Sequence, residues 1–255
     1  MEALYGLGFI TDFLDSLGIG SFATTTTALK LGRVVEDDEI PGTLNVGHAI
    51  PSMLESILFL SAVDVDLRTL VSLVAAGVIG AWFGTGIVVR WPKRVVQRAM
   101  AVALLVTAGF IVLRQFHSLS VEGGTLGLSG WRLALAIAAS LLIGAITSLG
   151  IGNYAPTMAL TYMLGMDSKA VFPVMATAAA LILPTAAVQF YRARRFDRRT
   201  AMGLTFGGIP GVLLAVYLVK EIPKKPLLWV VAVVLLYTSA SLFRSSTTPA
   251  HKENG

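Results

Sequence analysis

Long apolar runs recur along the whole chain and alternate with short polar stretches. They cover residues 43–62, 69–89, 95–113, 170–190, 200–219 and 226–243. Each run has the roughly 20 residues that a helix needs to cross a hydrocarbon core of about 30 Å, because an α-helix rises about 1.5 Å per residue. The pattern therefore predicts an all-α polytopic membrane protein.

Two further apolar regions, 3–31 and 132–165, are interrupted by glycines and small polar residues. The interruptions read "SLGIGSFATTTT" at 16–27 and "SLGIGNYAPT" at 148–157. The arms on either side can reach the middle of a bilayer but are mostly too short to cross it. These arms cover residues 3–17, 21–31, 133–148 and 153–165. The sequence predicts two helical hairpins broken at their glycines, and it leaves open whether each hairpin is re-entrant or crosses fully as two helices.

The second half of the chain repeats the first. At an offset of 132 residues the segment 16–20 aligns with 148–152, and at an offset of 131 the segment 66–69 aligns with 197–200. A collinear set of such matches indicates duplication. Each half is expected to contain one broken hairpin and three transmembrane helices. The predicted organisation is a first repeat at 1–114, a second repeat at 131–244 and a polar cytoplasmic tail at 245–255.

The basic residues indicate how the two halves are oriented. If each broken region enters and leaves the membrane on one side, most Lys and Arg residues fall on the side of the C-terminal tail, whereas a single crossing by each region gives no bias. Because Lys and Arg are retained in the cytoplasm, the first topology is favoured. It predicts inverted repeats in the plasma (inner) membrane, with both termini cytoplasmic.

Composition supports this class and excludes several chemistries. Hydrophobic residues make up 55% of the chain and charged residues 14%, with a mean hydropathy of +0.75. The absence of cysteine excludes disulfides and thiolate sites. The net charge of +5 is attributed to cytoplasmic loops and not to nucleic-acid binding. The histidines lie in separate regions, so neither a metal nor a cofactor is expected.

Each glycine break is followed by a residue that favours helix N-caps, Ser21 or Asn153. Half-helix N-termini carry free N–H groups and a positive dipole end, which favour anions. If the halves are inverted, the two N-termini approach each other near the midplane. The predicted substrate-binding residues are Gly18, Gly20, Ser21, Thr24, Thr25, Gly150, Gly152, Asn153, Tyr154 and Thr157. Close helix packing is the alternative for glycines, and it is preferred for Gly77, Gly80, Gly84, Gly207, Gly208 and Gly211.

Ionisable residues at membrane depth are costly and usually functional. Asp12, Asp15, Glu55 and His48 are therefore candidates for proton coupling. One of the two aspartates could instead cap the break, and His48 and Glu55 could serve as structural hydrogen-bonding groups. The polar residues Asn45 and Gln189 are expected to line the path or to make packing hydrogen bonds.

The segments "GFITDFLDSLGIGS" and "LIGAITSLGIGN", with the length and span pattern, resemble the sulfite exporter TauE/SafE family of membrane permeases. The resemblance covers almost the whole chain. It implies transport of small sulfur-containing or organic anions such as sulfite, sulfonates or sulfoacetate. Family members commonly have a proline after the glycine cluster. The second copy keeps Pro156 and the first copy has none.

The predicted function is a secondary transporter for a small anion that works by alternating access, with proton coupling left open. An anion channel is the nearest alternative. An intramembrane hydrolase using Ser21 with His48, or Asp12 with Asp15, is a distant one, so no enzymatic activity is expected. The expected partners are the anion, the lipid bilayer and, as an open question, a second copy of the chain.

Overall fold

The structure is a computed structural model of the 255-residue chain and describes most of it. The described residues are 1–17, 20–92, 125–147, 149–150, 152–167 and 170–218, with scattered positions between 94 and 112 and between 236 and 244. The predicted helices 95–113 and 226–243 lie largely outside the described residues, and the tail 245–255 lies wholly outside them.

The described residues fold into helices, with one isolated β-bridge between Thr125 and Met166. In chain order the helices are α1 (Glu2–Ser16), α2 (Ser21–Gly32), α3 (Ile40–Gly47), α4 (Ala49–Ala62), α5 (Leu67–Val88), α6 (Gly130–Thr147), α7 (Tyr154–Met163), α8 (Val171–Ala193) and α9 (Arg198–Leu218). By length and composition, α5, α6 and α8 could each cross a membrane. The predicted all-α membrane class is confirmed.

Both predicted breaks are present. The first separates α1 from α2 and the second separates α6 from α7. Gly20 and Gly152, which are aligned in the repeat, have φ angles of 87° and 72°, and Gly150 has 89°. Residues with a β-carbon rarely adopt these angles, so glycine is what allows the chain to turn here. The α6 arm differs from the prediction, because it begins at Gly130 and its 18 residues are long enough to cross the membrane.

The predicted helix 43–62 is instead two helices, α3 and α4, with a bend at His48. Pro51 explains the bend. Proline has no N–H to donate to the carbonyl four residues earlier, so the Gly47 carbonyl loses its partner within the helix. That carbonyl accepts the hydroxyl of Thr205 on α9 instead, at 2.7 Å. The bend therefore fixes His48 at the junction of two helices.

Aligned residues of the two halves make the same local structure. The N–H of Thr69 donates to the Asp66 carboxylate at 2.8 Å, and the N–H of Thr200 donates to the Asp197 carboxylate at 2.6 Å. An aspartate in this position satisfies one of the free N–H groups of the first helical turn. The two aspartates therefore start α5 and α9 in the same way.

Helices from the first half of the chain pack in pairs on helices from the second half. α1 of the first half lies along α9 of the second, and α5 of the first half lies along α6 of the second. Glycines form both contacts. A β-carbon at Gly8 would lie 2.5 Å from the Leu204 carbonyl oxygen, and one at Gly84 would lie 2.5 Å from the Ala145 oxygen. The close-packing interpretation of the glycine set at 77, 80, 84, 207, 208 and 211 is confirmed, because each would place a β-carbon against a neighbouring helix.

α8 lies at the centre and contacts α3, α4, α5 and α7. Its residues Val174, Met175 and Leu183 are buried. Large apolar side chains on α5 point outwards instead, and Phe83 is 67% exposed. Such an outward apolar face suits a lipid environment better than water.

Arg195, in the turn between α8 and α9, connects three segments at one end of the molecule. Its guanidinium donates to the carbonyls of Val89 and Trp91 at 2.9 and 2.8 Å and to the Asp38 carboxylate at 2.7 Å. Asp38 belongs to the loop 33–39 between α2 and α3. The loop is thereby held against the end of α5.

Candidate functional site

The two glycine breaks lie next to each other. A β-carbon added at Gly152, in the second break, would lie 3.3 Å from the β-carbon of Phe22, in the first turn of α2. Tyr154, at the start of α7, is buried and lies within electrostatic range of Glu55 and Asp15. The residues around both breaks thus form one buried polar cluster. Gly18, one of the predicted site residues, lies outside the described residues.

Asp15 caps the N-terminus of α2 from across the first break. The Ser21 N–H donates to one carboxylate oxygen at 2.7 Å, and the Ser21 hydroxyl donates to the other at 2.9 Å. The N-cap position itself is Gly20, which has no side chain to accept these bonds. A carboxylate from α1 therefore satisfies the free groups and the positive dipole end of α2.

His48 links two helices through both nitrogens of its ring. Nδ1 is 2.8 Å from Oδ1 of Asp12, and Nε2 is 3.1 Å from the Thr25 hydroxyl. The ring also lies 5.8 Å from that of Phe22, between centroids. If Asp12 is ionised, Nδ1 donates to it, and Nε2 accepts from Thr25 in the neutral ring or donates to it in the charged one. The arrangement can therefore hold or pass a proton.

Glu55 is the least satisfied group of the cluster. Its side chain is 1% exposed and lies close to the hydroxyls of Tyr154 and Ser16, but neither carboxylate oxygen makes a hydrogen bond of normal geometry with the described residues. The hydroxyl of Tyr154 and Oδ2 of Asp12 are likewise buried without such a bond in the described part of the chain. A buried ionised carboxylate without partners is costly. These atoms are therefore suited to bind a proton, water or a ligand.

The cluster is acidic. Asp12, Asp15 and Glu55 act electrostatically on one another, and His48 is the one basic group that acts on both Asp12 and Asp15 among the described residues. An anion bound here with all three carboxylates ionised would be repelled. The residues that the structure describes contain no group of histidines and acids arranged to hold a metal ion.

The second break is built differently from the first. The Asn153 side-chain amide donates to the Met175 carbonyl on α8 at 3.0 Å, and so ties the break to the central helix. Thr157 is 4% exposed and lines a void of about 10 Å³ together with Gly77 and Ser140. That void has room for about one water molecule.

The remaining predicted site residues make internal contacts. The Thr24 hydroxyl donates to the Ser21 carbonyl at 2.9 Å. The Asn45 amide donates to the Pro41 carbonyl at 2.8 Å, and its Oδ1 has no partner among the described residues. Gln189 lies away from the cluster, where its side-chain amide donates to the Trp82 carbonyl.

The serine form of the hydrolase alternative would pair Ser21 with His48. The Ser21 hydroxyl donates to Asp15 instead, and His48 contacts Asp12 and Thr25. Sequence reasoning missed two residues of the cluster, Ser16 and Phe22. Ser16 is 1% exposed and lies close to Glu55, and its position at the start of the repeated SLGIG segment was the available signal.

A family model described as "Sulfite exporter TauE/SafE" matches residues 4–190 and, in a second match, residues 169–255. Together the two matches span nearly the whole chain. Comparison with curated proteins and with solved structures finds no significant match.

Proposed function

Because the chain belongs to the sulfite exporter TauE/SafE family, a family of membrane transporters, we propose that it is a secondary transporter for a small anion. The substrate class is sulfite, a sulfonate or a related sulfur-containing or organic anion. The observation that carries the proposal is the buried polar cluster at the meeting point of the two glycine breaks. Broken helices near the midplane are where secondary transporters commonly bind substrate.

The anion would bind to backbone N–H groups and hydroxyls at the starts of α2 and α7. Ser21 and Thr25 belong to the first of these and Asn153 and Thr157 to the second. The positive ends of two helix dipoles stabilise negative charge without a buried Lys or Arg. This suits a substrate that must leave as readily as it enters.

Proton coupling follows from the charge of the cluster. With Asp12, Asp15 and Glu55 all ionised, anion binding would be opposed, so the anion would bind together with protons taken up by the carboxylates. Glu55, which makes no hydrogen bond of normal geometry with the described residues, is the strongest candidate to carry one. His48, between Asp12 and Thr25, would exchange protons with Asp12.

Alternating access between two inverted halves is the proposed mechanism. Its support is the reciprocal packing of α1 on α9 and of α5 on α6, which is the pattern that a two-fold relation produces. The basic loops favour cytoplasmic termini in an inner membrane. A homodimer stays part of the proposal, since the outward apolar faces could contact either lipid or a second copy.

Flux through reconstituted protein tests the proposal. Proteoliposomes would be assayed for uptake of sulfite, a sulfonate, sulfate and acetate, with and without a pH gradient. A secondary transporter coupled to protons accumulates anion only with the gradient. Rapid conduction that ignores the gradient would identify an anion channel, and no anion flux under any condition would reject both.

Thermal stabilisation by the same anions tests the location of the site. A ligand that binds the folded state raises the unfolding midpoint. The shift should be reduced in Ser21→Ala and Asn153→Ala. Ser61→Ala is the matched control, because the Ser61 hydroxyl is exposed at the end of α4 and donates to the Leu58 carbonyl. An equal loss in all three variants would contradict the assigned location.

A further inference from the structure

The N-terminus of α2 is already occupied by an anionic group of the protein itself. Both oxygens of the Asp15 carboxylate are engaged, one by the Ser21 N–H and one by its hydroxyl. We propose that Asp15 is an internal competitor for the transported anion, which takes its place at α2 when Asp15 is protonated. This inference rests on the proposed function and specifies how its binding site is controlled.

The groups that hold Asp15 are suited to the substrate class. A carboxylate presents two oxygens on one centre to an N–H and an O–H donor, and sulfite and sulfonates present oxygens in the same way. Charge-assisted hydrogen bonds at a helix N-terminus are made to the oxygens, so they do not distinguish the carbon of a carboxylate from the sulfur of sulfite or a sulfonate. A β-carbon at Gly20 would meet nothing within 4 Å among the described residues, so a group of that size fits beside these donors.

A second observation points to a ligand at the same place. The carboxylate of Glu55 and the hydroxyl of Tyr154 are buried close to each other and within electrostatic range of Asp15, yet neither group makes a hydrogen bond of normal geometry with the described residues. Buried polar atoms are normally satisfied. Protonated Glu55 and Tyr154 would both be donors to the remaining oxygens of an anion held at Ser21.

Asp15 differs from the ordinary capping aspartates of this chain. Asp66 and Asp197 each cap a helix three residues before their threonine partner, within one continuous segment. Asp15 lies six residues before Ser21, on a different helix across a glycine break. A shift of α1 relative to α2 can therefore withdraw this cap without unfolding either helix.

The charged groups around Asp15 make its release depend on a proton. Asp12 faces it from α1, His48 from the bend before α4, Glu55 from α4 and Tyr154 from α7. On α9, Arg199 lies against Met1, about 20 Å from Asp15 along α1 by the rise of an α-helix. An ionised Asp15 displaced into this acidic group would be repelled, whereas a protonated one would not. Protonation of Asp15 removes one negative charge from the site and a bound monovalent anion adds one, so the net charge of the site is unchanged.

Asp15→Asn separates competition from simple capping, because asparagine can still accept from Ser21 but carries no charge. The probe is methanesulfonate, which stays ionised throughout the assay, with sulfite in a parallel arm. Apparent affinity for uptake is measured in proteoliposomes of the full chain from about pH 5 to about pH 8. The wild type should lose up to tenfold in affinity per pH unit once Asp15 ionises. The variant should show a shallower pH dependence than the wild type, because Glu55 and Asp12 remain in it, and it should bind at least tenfold tighter than the wild type at the highest pH.

Asp66→Asn is the matched control, since it changes a capping aspartate outside the cluster, and it should keep the wild-type pH dependence. Asp15→Asn would overturn the inference if it bound the anion more weakly than the wild type at every pH while its affinity changed with pH as steeply as in the wild type. Asp15 would then be a structural cap. Absence of anion flux in the wild type would instead reject the proposed function, and the inference with it.

A second measurement uses only the wild type and so does not depend on whether the variant folds. Methanesulfonate binding to the purified protein is measured by calorimetry in buffers of different ionisation enthalpy. The inference requires uptake of at least one proton for each anion bound above the pH at which Asp15 ionises. Binding with no proton uptake at any pH would overturn it.

Discussion

Replacing Gly8 by alanine should destabilise the protein, although alanine is the better helix former. Gly8 lies on the face of α1 that packs on α9, where a β-carbon would stand 2.5 Å from the Leu204 carbonyl oxygen and 2.8 Å from its Cα. Ordinary contact begins at 3.4 Å, so α1 would have to move away by roughly 0.9 Å in an interior that is close-packed. Overpacking of this kind costs about 1–3 kcal/mol.

Gly6→Ala is the matched control, two residues away on the same helix. A β-carbon at Gly6 would meet nothing within 4 Å, so this variant should gain about 0.5–1 kcal/mol from the higher helix propensity of alanine. The two variants should therefore differ by about 1.5–4 kcal/mol. Thermal unfolding in detergent measures the difference. Equal midpoints, or a higher one for Gly8→Ala, would show that α1 and α9 do not touch backbone to backbone at Gly8.

Three further changes probe separate contacts. His48→Gln should lower the free energy of unfolding by about 3–5 kcal/mol, because it removes the ionisable partner of a buried carboxylate. Adding Asp12→Asn should recover part of that loss in thermal unfolding. No recovery would mean that His48 and Asp12 are not coupled. Arg195→Lys should lower the unfolding midpoint by the equivalent of about 1–3 kcal/mol, since lysine cannot make the same fork of hydrogen bonds. The Thr69 hydroxyl and N–H hold the pKa of Asp66 below its usual value, so the stability from Asp66 is present above about pH 4 and is lost as the pH falls through the lowered pKa. Asp66→Asn should therefore weaken the acid-induced drop in the midpoint, and an unchanged drop would contradict the cap.

The glycine breaks could be predicted from the sequence because each leaves a local signal. Glycine next to serine or asparagine inside an apolar run marks a turn that starts a helix, and the helices begin at Ser21 and Tyr154. The role of Gly80 and Gly207 could also be predicted locally, because small residues within transmembrane segments commonly allow helices to pack closely.

Other features depend on which helices meet in space. The sequence indicated that Asp12 or Asp15 could cap the break, and the structure shows that Asp15 does so; which of the two it would be could not be predicted, because the contact crosses the break. The contact between His48 and Asp12 joins residues 36 positions apart. The bend at His48 did leave a signal, because Pro51 removes one hydrogen bond of the predicted helix. The partner for the freed carbonyl, Thr205, comes from the other half of the chain and could not have been found locally.

The packing of helices from one half of the chain on helices from the other half has a mechanical consequence. In both pairs backbone lies against backbone, with glycine where side chains would otherwise interdigitate, so neither helix of a pair can move closer to its partner without a clash. One pair is α1 with α9 and the other is α5 with α6, and each pair draws one helix from the first half of the chain and one from the second. A fragment that held only the first half would therefore leave the glycine faces of both α1 and α5 uncovered.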